Sequence, residues 1–536
     1  MKSKIAENAL KLYYFTKREG VGALARRGYR AAFPAPATYD RWKQKHRLSE
    51  KALLRQKNES SKWAFQIDIV PFFSGEHCPL LEKSLERQSA HIGILEKDYR
   101  NGRGEFILLA GFDVFLSANA LYEFGRYIEQ FPLTDWFYCD HDVQGQKPLF
   151  KPDFNENYLL SCPYIGPVVI VRRKILEDLM ASGVSILFGN MYRLQLNLAD
   201  FCENIGHIPK ILYHLKSSWP SPEMDMEIRE QLISYFKEKK VDCTVTDGIA
   251  PGTYDVAYKI SAQPLVSVII PNKNHPEDLK KCIASLLGQN YKNLEIIIVE
   301  NNSHLPETFK LYENLRQYNN IKILEWNHPF NYSAINNFAA DYASGEYLLF
   351  LNNDIEFIEA QSIMRMVSLG EHRKADAVGI KLLYPDGLIQ HAGVIVGYGG
   401  IAGHAFLGCD GSDHGYMNRI DCVQNYSAVT AACMLVRRSA FVACQGFDEE
   451  IQVAFNDVDF CLRLQAQGFH VVYTPYASAW HYESKSRGRE DTFEKMRRFN
   501  REVNLFCGRW KCIIKQGDKA YNPNLSLEKW DFSIKL

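Results

Sequence analysis

Long apolar runs, closely paired cysteines and net charge are all missing from this 536-residue chain. No stretch approaches the ~20 apolar residues that a membrane-spanning helix needs. The opening residues MKSKIAENALKLYYFTKREG lack the uninterrupted apolar core and small-residue cleavage site of a signal peptide, so the protein is expected to stay in the cytoplasm. Thirteen cysteines are scattered with no CxxC pair, which fits reduced thiols better than a disulfide framework or a thiolate zinc site; Cys507 and Cys512 read as two plain thiols. Lys+Arg and Asp+Glu both number 63, a balance that argues against a dedicated nucleic-acid binder.

What is present is ample core material: 46% hydrophobic residues, with 31 Phe and 29 Tyr, in a length that predicts two or three domains. The neutral total hides an asymmetry. Residues 1–58 hold 15 Lys+Arg against 4 Asp+Glu, or +11, which leaves −11 on the remainder. Within this basic head Ile5, Ala9, Leu12 and Tyr13 share one helical face, with Lys4, Lys11, Lys17 and Arg18 mostly off it. Such a helix suits the inner face of an anionic membrane, where each cation contributes about 1 kcal/mol, and equally suits packing on the protein body.

Two copies of one pattern follow. The β-rich run Phe65–Pro71 matches Val266–Pro271, GEFILLAGFDVFL from Gly104 matches GEYLLFLNNDIEF from Gly345, and HIPKILYH matches YTPYASAWH. The second copy gains length twice: first around an apolar strand, Leu294–Val299, that the first copy is expected to lack, and then in the Gly- and His-rich stretch Gln390–His414. In copy two, strands Val266–Ile270, Leu294–Val299 and Tyr347–Leu351 alternate with helical stretches near 277–288 and 333–343. That alternation predicts an α/β doubly wound sheet with ligands beyond the carboxyl ends of its strands. Polar clusters fall at those ends: Asn272-Lys273-Asn274, Glu300 to Ser303, and Asn352-Asn353-Asp354.

From Pro264 to about Arg489 the chain resembles glycosyltransferase family 2, inverting enzymes of the GT-A fold, and in particular the bacterial branch that builds surface polysaccharides. The stretches that carry the resemblance are VSVIIPNKN, EIIIVENNS, HPFNYSAINNFAA, GEYLLFLNND, KLLYPDGLIQHAGV, SAVTAACMLVRR, GFDEEIQVAFNDVDFCLRL and WHYESKSRG. The earlier GEFILL, KPLFKPDFNENYLLSCPYIG and HIPKILYH look like the N-terminal domain that precedes it in tandem enzymes. The resemblance implies two GT-A-like domains: a basic helical segment over 1–60, a degenerate copy over 61–250, a catalytic copy over 261–515 and a C-terminal tail over 516–536.

The same resemblance assigns roles. Asp354 ends the acidic metal motif, here NND with Asn352 departing from the pattern, and His481 in WHYES completes a site for Mn²⁺ or Mg²⁺. Asp457 in NDVD takes the place of the family's general base, with Asn456 where Glu is usual and Asp459 only favouring the helix N-terminus. Pro271, Asn274, Glu300, Asn302 and Ser303 are expected at the nucleotide, Asn331, Ser333 and Asn336 at the diphosphate, Asn352 and Asn353 at ribose or sugar, and Lys485 and Arg487 on phosphate oxygens. Gln390, His391, His404 and Asn456 are placed at the acceptor or transferred sugar. Copy one keeps Asp113 and, on this reading, His214, but Met191 faces Asp457 and Arg193 faces Asp459. A thioether cannot take a proton, so copy one is expected to be an inactive scaffold, acceptor-holding surface or homodimer contact.

The implied activity is transfer of a sugar from a UDP- or dTDP-sugar to a growing, lipid-linked O-antigen or capsule-type glycan at the inner face of the cell membrane, with no nucleic-acid partner. A non-catalytic glycan-binding or assembly protein and a nucleotidyltransferase are the competing readings.

Overall fold

The structure, a computed structural model, describes residues 39–73, 78–96, 98–184, 189–482 and 492–536. The basic amphipathic stretch Ile5–Tyr13 and the pair Lys485 and Arg487 lie outside them. Of the basic head, the helices Tyr39–His46 and Glu50–Ser60 pack on the first unit, the second of them against the helix Ala120–Gln130. Tyr39 donates its hydroxyl to Asp142 at 2.6 Å, and Trp42 meets Phe150 edge-on at 5.2 Å. Among the described residues no helix is long and apolar enough to cross a membrane.

The first unit is built on β1 (Ile67–Pro71), β2 (Gly93–Leu95), β3 (Phe106–Ala110), β4 (Val114–Leu116), β5 (Trp136–Val143), β6 (Lys147–Leu149), β7 (Val168–Arg172) and β8 (Ile205–Leu215). Their order is β2-β1-β3-β7-β5-β8-β4, with β6 on β5. An antiparallel ribbon, β9 (Cys243–Asp247) and β10 (Tyr254–Tyr258), leads to the second unit.

That unit holds β11 (Val266–Asn272), β12 (Leu294–Glu300), β13 (Ile321–Glu325), β14 (Tyr347–Leu351), β15 (Ile355–Phe357), β16 (Ala375–Leu383), β17 (Ile389–His391), β18 (Val394–Val396), β19 (Ala402–His404), β20 (Gln424–Asn425), β21 (Cys433–Arg437) and β22 (His470–His481). The main sheet runs β13-β12-β11-β14-β21-β16-β22-β15. Strands such as LEIIIVE and YLLFL are buried along their whole length because helices cover both faces, as expected of parallel neighbours. Both units are thus doubly wound α/β sheets, and the run β1-β3-β7-β5-β8-β4 recurs as β11-β14-β21-β16-β22-β15.

Strand register corrects two expectations for copy one. The strand matching Leu294–Val299 is not lost: β2 pairs parallel to β1 where β12 pairs parallel to β11, shortened to three residues. What copy one lacks comes after it, namely the helix Pro306–Leu315, β13 and the helix Tyr332–Asp341, since only residues 96–105 separate β2 from β3. Second, Ile355 pairs with His481 in copy two, whereas the matching Val114 pairs with Leu215. The residue at the His481 position is therefore Leu215. His214, one residue earlier, falls on the other face of its strand, because side chains alternate with a period of two.

The two units pack together. One apolar cluster draws on both, from Val70 and Trp136 to Val268 and Leu349. Across the junction Asn155 donates to Asn425 O at 2.9 Å and Arg365 pairs with Asp255 at 2.6 Å. Residues 518–532 run between the units and are anchored to each.

Candidate active site

The carboxyl ends of β11 and β14 open onto a cavity of about 800 Å³. Pro271, Asn352, Asn353, Asp354, Gln390, His404, Asn456, Asp457 and His481 line it together, although they come from sequence positions more than 200 residues apart. Lys273, Asn301, Phe330, Tyr332, Tyr384, Thr430, Lys495 and Arg498 complete much of the wall.

Asp354 follows β14, and antiparallel pairing of β15 with β22 sets His481 beside it, with His481 Nε2 3.2 Å from Asp354 Oδ1. Both side chains are buried. Asn352 Nδ2 lies 3.3 Å from the same imidazole nitrogen. On the far side of the ring Nδ1 lies 2.5 Å from Gln390 Oε1, an acceptor; with Nδ1–H donating there, the neutral ring presents the Nε2 electron pair to the space beside the carboxylate. Two electron-pair donors brought together in this way, one oxygen and one imidazole nitrogen, fit a divalent cation of the Mn²⁺ kind. Among the described residues no group of three His, Cys, Asp or Glu forms a fuller cage. Gln390 thus stands behind a candidate metal ligand as well as on the cavity wall.

Asp457 occupies the first turn of the helix Asn456–Ala466. Its Oδ2 accepts from Ala431 N at 3.1 Å and its Oδ1 from Val458 N at 2.8 Å. Asn456, buried beside it, donates to Ser333 Oγ at 3.2 Å. Asp459 does more than favour a helix end: Arg463, Arg509 and Trp510 all donate to its buried carboxylate, at 2.8, 2.7 and 2.9 Å. The loop before the helix is held by Glu502, which accepts from Gln452 N and Ala454 N, both at 3.0 Å. Burial pushes the Glu502 carboxyl up, against the pull of those backbone donors.

At the end of β12, Glu300 accepts from the Ser303 backbone N–H, from Ser303 Oγ at 2.7 Å and from Tyr312 at 2.5 Å. Asn272 donates to the Tyr312 hydroxyl at 2.7 Å and accepts from Asn353 at 2.6 Å. Asn274, at a left-handed φ of 57°, receives His304 N at 2.9 Å, and its own N–H donates to Ser303 Oγ at 2.7 Å. Asn302 takes a similar backbone conformation, with φ 55°. These residues form one interlocked floor, in which Asn272 and Asn353 reach the cavity wall and Asn274, Glu300, Asn302 and Ser303 lie behind it.

Three residues expected at the diphosphate make their side-chain bonds within the fold. Asn331 caps its helix through Ala334 N at 3.1 Å, Ser333 donates to Ile451 O at 2.6 Å, and Asn336 donates to Tyr332 O at 2.8 Å. None lies on the cavity wall, whereas the neighbouring Phe330 and Tyr332 do. His391 is buried behind His404, their Nδ1 atoms 2.8 Å apart, and burial first, then the neighbouring imidazoles, holds its pKa well below the usual histidine range. His404 alone of the two reaches the wall.

Sequence reading missed Lys495 and Arg498, which lie on the helix Phe493–Arg509 beyond the expected Lys485 and Arg487. Their spacing of three, on one helical face, was the available signal.

Among the described residues of copy one, no matching site forms. His214 Nδ1 lies 2.8 Å from Asp142 and Nε2 3.0 Å from Ser117, while Asp113 takes a 3.4 Å contact from Ser217. Met191 is buried at the start of its helix.

Comparison with known proteins matches residues 267–391 to the family model described as glycosyl transferase family 2. An uncharacterized protein, y4gI of Sinorhizobium fredii, is 36% identical over 453 residues, covering 81% of this chain and 50% of that protein. The O-antigen biosynthesis protein RfbC of Myxococcus xanthus is 36% identical over 448 residues, covering 81% of this chain and 35% of that one. The chain therefore spans half or less of the length of these relatives. A GalNAc(5)-diNAcBac-PP-undecaprenol beta-1,3-glucosyltransferase of Campylobacter jejuni is 36% identical over 97 residues, 18% of this chain and 31% of that protein. The matched stretch runs from β11 through β17 and carries the Asp354 end of the cavity, so the second unit contains a glycosyl transferase family 2 domain.

Proposed function

We propose that the chain is an inverting glycosyltransferase that moves a sugar from a UDP- or dTDP-sugar to a hydroxyl of a growing, lipid-linked surface glycan. One observation carries this reading: the carboxylate Asp457 and the pair Asp354 and His481 line a single cavity at the carboxyl ends of the strands. The names of the relatives support the acceptor class, one an O-antigen biosynthesis protein and another a glucosyltransferase acting on an undecaprenyl diphosphate saccharide.

Asp354 and His481 would hold a divalent cation, which when bound neutralises charge on the departing nucleoside diphosphate. Lys273, Lys495 and Arg498 add positive charge to the same wall. Asp457 accepts the proton of the attacking acceptor hydroxyl as its oxygen bonds to the anomeric carbon and the bond to the diphosphate breaks on the opposite face, a contribution of typically 10²- to 10⁴-fold. The Ala431 and Val458 N–H groups fix the direction of that carboxylate. Glu300 and the floor beneath it receive the nucleotide base.

A panel of nucleotide sugars with Mn²⁺, read by thermal shift and by product mass, tests the assignment. Donor-dependent stabilisation and release of nucleoside diphosphate are expected. Neither binding nor turnover of any donor would overturn it, and release of pyrophosphate would reassign it to a nucleotidyltransferase.

A further inference from the structure

The segment expected to be a tail is a strap between the first unit and one wall of the cavity. Asp518 is buried, and its carboxylate accepts from Val396 N at 2.6 Å, Ser427 Oγ at 2.6 Å and Ala520 N at 2.8 Å. Val396 belongs to β18, which pairs with β19 so that Val394 faces His404, and these two residues lie on the cavity wall. Farther along, Leu527 O accepts from Gly399 N at 3.0 Å and Trp530 O from Phe406 N at 2.8 Å. The Trp530 ring occupies the space behind Gly403, where a Cβ would come within 2.3 Å of it. Phe532 stacks on Phe406 at 4.4 Å.

The same segment grips the first unit. Asn522, buried, donates to Asp140 Oδ2 and to Lys151 O, both at 2.8 Å. Asn524 donates to Pro209 O at 2.8 Å, and Lys519 O accepts from Asp153 N at 2.9 Å. The β18–β19 hairpin is a two-stranded element outside the main sheet's ladder. One bridge, Val394 N to Ala428 O at 2.9 Å, ties it to the body of the second unit, while the backbone donors at Val396, Gly399 and Phe406 all end on the strap. With three of its backbone donors on the strap against one on the body, the far end of the hairpin takes its position in large part from whatever holds the strap.

We infer that residues 518–532 position the hairpin carrying His404, and that the first unit acts on the acceptor side of the cavity through Asp518, Asn522 and Trp530. The functional part of this inference rests on the glycosyltransferase reading; the mechanical part does not. Asp518, Asn522 and Trp530 are positioning residues. The hairpin they hold would set acceptor recognition, while the donor side, formed by β11, β12 and Asp354, is supported independently.

The test uses the full chain and the variants Asp518→Asn and Asn522→Ala, with Trp530→Leu as a third that leaves both polar anchors intact. Hydrogen–deuterium exchange across residues 394–406 is expected to accelerate about tenfold in Asp518→Asn and Asn522→Ala, the factor that loss of one charge-assisted hydrogen bond produces, and to accelerate in Trp530→Leu through the packing lost behind Gly403. Exchange across 266–302 should stay unchanged, and the Kd for UDP with Mn²⁺, by calorimetry, should stay within about twofold of the parent, well under the tenfold that one lost hydrogen bond makes. Asp518→Glu should restore part of the protection. Unchanged exchange at 394–406 in Asp518→Asn and Asn522→Ala would overturn the inference, as would equal loosening of 266–302. If the parent protein does not bind UDP, the glycosyltransferase reading fails, and the exchange data still decide whether the strap holds the hairpin. With a polyprenyl-diphosphate-linked saccharide as acceptor probe, the variants should raise acceptor KM about tenfold with kcat nearly kept; a fall in kcat alone would assign the strap to catalysis instead.

Discussion

His481 Nδ1 lies 2.5 Å from Gln390 Oε1, an acceptor that selects the Nδ1–H tautomer of the neutral ring and so turns the Nε2 electron pair toward Asp354. Partners of this kind fix the tautomer and orientation of a metal-binding imidazole, and losing one typically costs 10- to 100-fold in metal affinity. Gln390→Ala is therefore expected to weaken Mn²⁺ binding by about that factor with the fold retained, and Gln390→Glu, which keeps the acceptor, to retain most of it. Titration of free Mn²⁺ by electron paramagnetic resonance checks both. Equal affinity in Gln390→Ala would return Gln390 to the acceptor side alone.

The role of Gln390 shows where the sequence stopped being legible. The strand ends at Glu300 and Asp354 and the start of the helix at Asn456 could be read because continuous apolar runs and their polar terminators are local patterns. The pairing of His481 with Gln390 depends on β22 and β17 flanking β16 in one sheet, which no local pattern states. The helix Pro306–Leu315 and β13 escaped for a different reason: β13 is short and half exposed, so its apolar run is weak. The placing of His214 against Asp113 failed by one residue, and in a strand one residue is the whole difference between faces. The strap could not be seen at all, since its buried groups, Asp518 and Asn522, are residue types that composition assigns to surface loops.

Asp457 and Asp459 sit two residues apart on one helix and should separate cleanly on mutation. Asp457→Asn keeps the side chain's size and one of its two backbone acceptors, and should abolish sugar transfer at a much smaller cost in stability than loss of Asp459. Asp459→Ala removes the buried acceptor of Arg463, Arg509 and Trp510 and should destabilise the protein by about 1–3 kcal/mol, the range for leaving hydrogen-bonding groups without their buried partner. Thermal melts alongside a transfer assay distinguish them, and a strongly destabilised Asp457→Asn would assign that residue to the scaffold.

Asp113 and Asp354 end matching strands, yet only Asp354 has a histidine in register with the following residue. Asp113→Asn, which keeps a residue type that tolerates the left-handed φ of 66° at this position, should leave Mn²⁺-dependent UDP binding within about twofold. Asp354→Ala should abolish it. Calorimetry with UDP and Mn²⁺ decides, and loss of binding in Asp113→Asn would mean that the first unit holds a working donor site.

His207 lies between two carboxylates, 2.9 Å from Asp140 and 3.2 Å from Asp153, with Tyr138 stacked on its ring at 4.8 Å. Burial alone would lower its pKa; the two carboxylates override burial and raise it. A group that binds its proton more tightly when folded contributes stability that is complete below its unfolded value of about 6.5 and is lost as pH rises through the folded value. Lys151 is the other titrating neighbour of Asp140, and burial lowers its pKa to about 8, so its linkage has the opposite sign, stability rising with pH above that value. A scan from about pH 5.5 to 7.5 keeps clear of the lysine. Over that range the melting temperature of the parent should fall relative to that of His207→Gln, which cannot carry the proton. Parallel profiles for the two proteins would show that His207 is neutral in the folded state, and Asn522, which shares Asp140 with it, would then be the stronger tie between the strap and the first unit.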